Sequence, residues 1–137
     1  HLREVDHRKT PVHRFFGTDR DAGAIAMSEA NAARAGVSDC TEFRQRTISE
    51  LVAPPGPPGL VIVNPPYGTR LGDRRRLAAL YAALGQTLKT RFAGWRVGLV
   101  TSEGTLARAT HLPFLPPGPS ILHGGLRITL FLTGPLP

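Results

Sequence analysis

Cysteine is nearly missing from this sequence. The 137-residue chain holds one, Cys40, which excludes an internal disulfide and with it a stapled secreted scaffold. A reducing, cytoplasmic setting is the expectation. Long apolar runs are missing too. None approaches the roughly eighteen residues of a membrane span, and the opening HLREVDHRKTP is charged and polar, unlike a secretory leader. Acids are scarce, ten against seventeen basic residues, for a net charge of +7. Lysine is scarcer still, because fifteen of the seventeen are Arg. Arginine forks match phosphate geometry, so a nucleic-acid partner is one reading of that surplus. A GC-rich coding bias is the other, since it inflates Arg, Ala, Gly and Pro together, and the chain has fifteen Gly and thirteen Pro. What the chain does have is apolar sequence. At 41% hydrophobic residues it can build a globular core, and at 137 residues it amounts to one domain or a piece of one.

Residues 12–18, VHRFFGT, read as a short strand that ends at the acidic cluster Asp19-Arg20-Asp21. Asp21 can cap the helix that follows, Ala22, Ile25, Ala26, Ala32 and Ala33 give it a small-residue face, and Gly36 is a left-handed stop. Thr41 to Phe43 reads as a brief second strand. The segment Ala53-Pro-Pro-Gly-Pro-Pro-Gly59 excludes helix and central strand, because its four prolines remove donors and fix φ. Leu60-Val61-Ile62-Val63 is a continuous apolar run, the mark of a strand covered on both faces. After Asp73 comes the clearest helix, with Leu77, Leu80, Tyr81, Leu84 and Leu88 on one stripe and Arg74, Arg75 and Arg76 in its first turn. Those three arginines, unfavourable at a helix start, need solvent or an anionic partner. Trp95 to Thr101 reads as a strand, Gly104 to Thr110 as a short helix, and residues 121–132 as two strands around the turn Gly124-Gly125. Strands alternating with helices, then a terminal hairpin, predict an α/β sheet, mostly parallel with an antiparallel edge. Ligands of such sheets sit beyond the carboxyl ends of the strands, so Gly17-Thr18-Asp19 and Asn64-Pro65-Pro66-Tyr67 are expected to face one crevice.

The two strand ends differ in what they offer. An acid such as Asp19 can accept both hydrogen bonds of a ribose diol, or it can simply solvate the helix start beside Asp21. Asn64-Pro65-Pro66-Tyr67 is more specific. An exocyclic base amine is a poor nucleophile because its lone pair is delocalised into the ring. Two acceptors aimed at its hydrogens draw the nitrogen toward a pyramid and turn the lone pair outward. The Asn64 side-chain oxygen and the Pro65 carbonyl are such acceptors, and neither proline nitrogen carries a competing hydrogen. Paired prolines stiffen the turn before substrate arrives, and Tyr67 offers a flat face for an unstacked base. The alternative is a rigid strand exit with a half-buried tyrosine. The five histidines (His1, His7, His13, His111 and His123) lack metal spacing, and Cys40 sits beside Asp39 and Glu42, which argues against a reactive thiolate.

Asn64-Pro65-Pro66-Tyr67 after Leu60–Val63 resembles motif IV of S-adenosylmethionine-dependent amino-methyltransferases. With Gly68-Thr69-Arg70-Leu71-Gly72-Asp73, residues 15–37 (FFGTDRDAGAIAMSEANAARAGV) and residues 121–132 (ILHGGLRITLFL), the chain is similar to the catalytic domain of THUMP-associated guanine-N2 RNA methyltransferases, whose members are often labelled N6-adenine DNA methylases. The resemblance implies a Rossmann-like class I methyltransferase fold and S-adenosyl-L-methionine as cofactor. It implies RNA, ribosomal above all, as partner, and neither metal nor membrane. Asp19 then matches the ribose-binding acid and Arg20 follows along the adenine edge. Asn64, Pro65, Pro66 and Tyr67 are the catalytic set, with Asn64 also facing the cofactor; Tyr67, Gly68 and Arg70 would meet substrate. Where the family carries an acid against adenine, Thr47 stands here with Ile48 beside it, which passes that recognition to a backbone group. The Gly-rich loop after the family's first strand, that strand itself and the THUMP module have no counterpart. Residues 1–137 are therefore expected to be a partial catalytic domain in which the strands around Phe16 and Ile62 lack a shared neighbour. Adenine in DNA or RNA, a protein glutamine, and a non-catalytic RNA-binding remnant are the alternatives at this point.

Overall fold

The computed structural model describes residues 13–67 and 73–137 and divides into two compact units, one up to Glu50 and one from Leu51 to Pro137. In the first, β1 (Phe15–Asp19) pairs in parallel with β2 (Thr41–Gln45), joined by α1 (Ala22–Ala35), which packs on both strands. Local chemistry sets the helix limits. The Asp21 carboxylate accepts the Gly23 amide at 3.2 Å, and Gly36 closes the last turn at φ 74°, where a side chain would be strained. Gly17 has a different duty. It faces Phe43 across the ladder, and a Cβ there would lie 2.7 Å from the Phe43 ring.

The second unit holds a four-stranded sheet in the order β3 (Leu60–Val63), β4 (Arg96–Thr101), β6 (Leu126–Leu132), β5 (Ser120–His123). β3 and β4 run parallel, whereas β4 with β6 and β6 with β5 are antiparallel. The hairpin turn has φ 56° at Gly124 and 80° at Gly125, the pair of positive values that matches strand twist. α2 (Arg74–Arg91) buries Tyr81, Leu84 and Leu88 completely, alongside Val97 and Leu99 of β4. Each such side chain contributes about 1.5–3 kcal/mol. Where α2 meets α3 (Gly104–Ala109) and its end, Gly85 allows an approach that nothing larger could: a Cβ would fall 1.9 Å from the Thr110 carbonyl oxygen.

The α/β class and the order of elements agree with the sequence. Three particulars differ. The strands fall in two sheets, and antiparallel pairs are as many as parallel ones among the described residues, rather than a minority at one edge. Among the described residues Leu60–Val63 is an edge strand, not one covered on both faces: Leu60 is 53% exposed and Ile62 64%. Leu60 and Ile62 share one face of the strand, which is left open among the described residues, while Val61 and Val63 on the other face are half-buried. Trp95 precedes β4 and stands edge-on to Phe92, with centroids 5.5 Å apart. Among the described residues no helix is long and apolar enough to cross a membrane.

Candidate functional site

The turn after β3 is built from a fixed backbone outward. Pro65 is buried, Tyr67 is half-buried, and Asn64 and Pro66 are exposed. Pro66 φ is set by its ring, and Pro65 is confined to extended geometry by the proline that follows it. What remains is the rotation of the Pro66 carbonyl, and the second unit locks it. The Tyr81 hydroxyl donates to the Pro66 carbonyl at 3.0 Å, and the Thr101 hydroxyl lies 3.1 Å from the same Tyr81 oxygen. Proton counting orients this chain. Tyr81 has one hydrogen and the carbonyl can only accept, so Thr101 donates to Tyr81, and the Thr101 oxygen accepts from the Glu103 amide at 3.4 Å. Each bond polarises the next. Burial pushes the Tyr81 phenol above its ordinary value; the Thr101 hydroxyl works against that, and the phenol of Tyr67 and the Glu103 carboxylate work with it. The Asn64 amide and the Pro65 carbonyl have no protein partner among the described residues.

In the first unit Asp19 closes β1. One oxygen of its carboxylate accepts the Asp21 amide at 2.8 Å, which aims the group and leaves its other oxygen without a partner among the described residues. The Arg20 carbonyl accepts from the Gln45 side chain at 3.0 Å. Thr47 is fully occupied. Its amide and its hydroxyl both donate to Glu50, each at 2.8 Å, and its carbonyl accepts the Glu50 amide at 3.1 Å. It is thus the start of the short 3-10 turn Ile48–Glu50, with Ile48 half-buried beside it. The Thr47 amide and the Thr47 hydroxyl lower the Glu50 pKa, burial opposes them slightly, and the Arg46 charge adds to the lowering.

Asn64 through Tyr67 therefore share one turn in the second unit, and Asp19, Arg20, Thr47 and Ile48 cluster at the strand ends of the first. Gly68 and Arg70 lie outside the described residues. Two residues that matter were not singled out from sequence. Tyr81 reads there as one more position of an apolar stripe, and nothing local announces that its hydroxyl holds Pro66. Glu50 had a visible signal in the spacing Thr47-x-x-Glu50, the reciprocal cap of a helix start. Among the described residues no cluster of three or more metal-ligating side chains exists.

Comparison with known proteins adds the following. The sequence profile of the family described as RMKL-like, methyltransferase domain, matches residues 1–113. A ribosomal RNA large subunit methyltransferase K/L of Legionella pneumophila (strain Lens) is 44% identical over 100 residues, covering 72% of this chain and 14% of that protein. The crystal structure of a possible methylase from Clostridium difficile 630 matches 94% of this chain and 34% of its own, with a TM-score of 0.81 and 27% identity. An RNA methyltransferase from Salinibacter ruber, solved with S-adenosyl-L-homocysteine, shares the fold at a TM-score of 0.50 and 19% identity, over 87% of this chain and 65% of its own. The chain spans about one-seventh of the length of the curated relatives it matches, 14% to 16%.

Proposed function

Because the chain belongs to the RMKL-like methyltransferase-domain family, we propose that it positions an exocyclic base amine, guanine N2 of ribosomal RNA, for methylation with S-adenosyl-L-methionine as methyl donor. The observation that carries this reading is the locked turn. Among the described residues Asn64 and Pro65 offer two acceptors without partners, on a backbone whose last free rotation the Tyr81 hydroxyl removes at 3.0 Å. When bound, the donor supplies an electrophilic methyl group on a sulfonium sulfur. The Asn64 side-chain oxygen and the Pro65 carbonyl hold the two amine hydrogens and keep the lone pair outside the base plane. Tyr67, half-buried, presents the flank on which the base rests. All of this is positioning and electrostatics set up before substrate binds, and no covalent enzyme intermediate is needed.

The first unit fits the ribose of such a donor. Asp19 sits at a strand end, is exposed, and has one carboxylate oxygen aimed by Asp21 while the other stays open. Arg20 and Ile48 are assigned to the same donor. Thr47 does not contact adenine in this reading, since the hydrogens of its amide and hydroxyl go to Glu50. Gly68 and Arg70, next along the chain, are assigned to the RNA side.

The test is transfer of a labelled methyl group to large-subunit ribosomal RNA by the complete protein carrying this chain, followed by digestion to nucleosides. N2-methylguanosine is the expected product; methyladenosine would refute the guanine assignment alone. Asn64→Ala should lower transfer about 100- to 1000-fold and leave calorimetric binding of S-adenosylmethionine nearly unchanged. Transfer that survives this substitution would sink the mechanism.

A further inference from the structure

A cavity beside α3 lies outside everything the Asn64–Tyr67 turn uses. It is a half-open depression of about 350 Å³. Its apolar lining is buried Leu112, half-buried Phe114 and Phe131, whose rings meet at 5.7 Å and 55°, and exposed Leu115. At its edge stand Arg108 and His111, both exposed and neither with a side-chain partner among the described residues. No acidic residue lines it.

The wall is built rather than improvised. Gly85 brings α2 against the Thr110 carbonyl; the Thr110 hydroxyl donates to Ala107 at 2.6 Å and accepts the Leu112 amide at 3.2 Å. Held from both sides, His111 takes φ 57°, the single left-handed non-glycine backbone among the described residues. His111 stands one residue past the cap Thr110, so this is the left-handed stop of α3.

We propose that this cavity binds one nucleotide of unpaired RNA, its base among Phe114, Leu115 and Phe131 and its phosphate between Arg108 and His111. The Phe114 and Phe131 rings pack on one another, and the half-buried flank of that pair suits the face of a base, which any sequence can offer. An arginine with no carboxylate to satisfy it suits phosphate, and the net charge of +7 draws a polyanion to the surface. A purely apolar ligand uses only the apolar lining and a free anion only the rim; a nucleotide uses both. The cavity shares no residue with the turn or with its Tyr81–Thr101 lock, while the choice of RNA as the source of the nucleotide rests on the proposed function.

Amide chemical-shift mapping on the isotope-labelled protein tests it, with adenosine and uridine 5′-monophosphate as probes. Both should shift Arg108, His111, Phe114 and Phe131 at concentrations where inorganic phosphate alone and adenosine alone do not. Arg108→Gln should weaken binding about tenfold, an effect that shrinks as salt rises. Phe131→Leu should weaken it about as much at any salt. Arg108 is exposed, so its variant keeps the fold, and thermal melting checks the second. A single-stranded RNA pentamer should bind through the same amides more tightly than either monophosphate; if it avoids them, RNA is the wrong source. Shifts that phosphate alone reproduces, binding indifferent to Arg108→Gln, or tighter occupation by a leucine–phenylalanine peptide would each overturn the proposal.

Discussion

The two helices that follow strands bearing candidate site residues are held in opposite ways. α1 buries only Ala32, and its unit buries little else beyond Cys40; its limits come from an aspartate cap, a glycine stop and turns closed by side chains. α2 buries Tyr81, Leu84, Gly85, Thr87 and Leu88 against a sheet with fully buried Val97 and Leu99. The first unit is shaped by polar closures near in sequence, each about 1 kcal/mol. The second is shaped by packing between segments far apart in sequence, where single side chains count for several kcal/mol. The Asn64–Tyr67 turn belongs to the second, and its geometry should share that unit's stability.

The largest break in this comparison is expected from Gly85→Ala. The added carbon has 1.9 Å to the Thr110 oxygen, so α2 must move off the end of α3, at a cost of about 3 kcal/mol. Trp95 and both tyrosines lie in the second unit and none in the first, so denaturation followed by Trp95 fluorescence reads this unit alone. An unchanged midpoint would mean the close approach is wrong. Next is Tyr81→Phe, which keeps the packing and strips the Pro66 carbonyl and Thr101 of their partner, costing about 2 kcal/mol. The same substitution should lower kcat in the complete enzyme more than it raises KM, since it frees the turn rather than removing a contact to the base. Equal effects on both would assign Tyr81 to the core only.

The smallest effect is confined to the first unit. Its Glu50 carboxyl is held below the ordinary carboxylate value, mainly by the Thr47 amide. A group lowered on folding stabilises the folded state above its unfolded pKa and loses that contribution as pH falls through the folded one. Amide exchange in residues 41–50 should therefore quicken below about pH 4.5, and Glu50→Gln should flatten that dependence. Exchange in α2 should not follow it, because no carboxylate caps that helix: Asp73 makes no side-chain cap bond there.

What could be read in advance follows the same division. Asp21 and Gly36 bounded α1 to the residue because caps act within three or four positions. Gly124-Gly125 placed its turn because only that pair of positive φ angles joins two twisted strands closely. Asn64-Pro65-Pro66-Tyr67 stood out because the prolines constrain backbone wherever they occur. Harder to see was Tyr81, whose hydroxyl meets a carbonyl fifteen residues earlier and a hydroxyl twenty residues later; an apolar stripe has no mark for that. The exposure of Leu60 and Ile62 was equally hidden, since an apolar tetrapeptide looks the same whether one face or both are covered.

By itself, the sequence determined where helices start and stop, which turn is rigid, and which chemistry that turn can offer, since these depend on neighbours along the chain. Only the tertiary structure decided that one face of Leu60–Val63 stays open, that a buried tyrosine holds the turn, and that Arg108, His111, Phe114 and Phe131 line one cavity. Those outcomes rest on contacts between residues distant in sequence, and no local pattern encodes a partner that folding alone brings near.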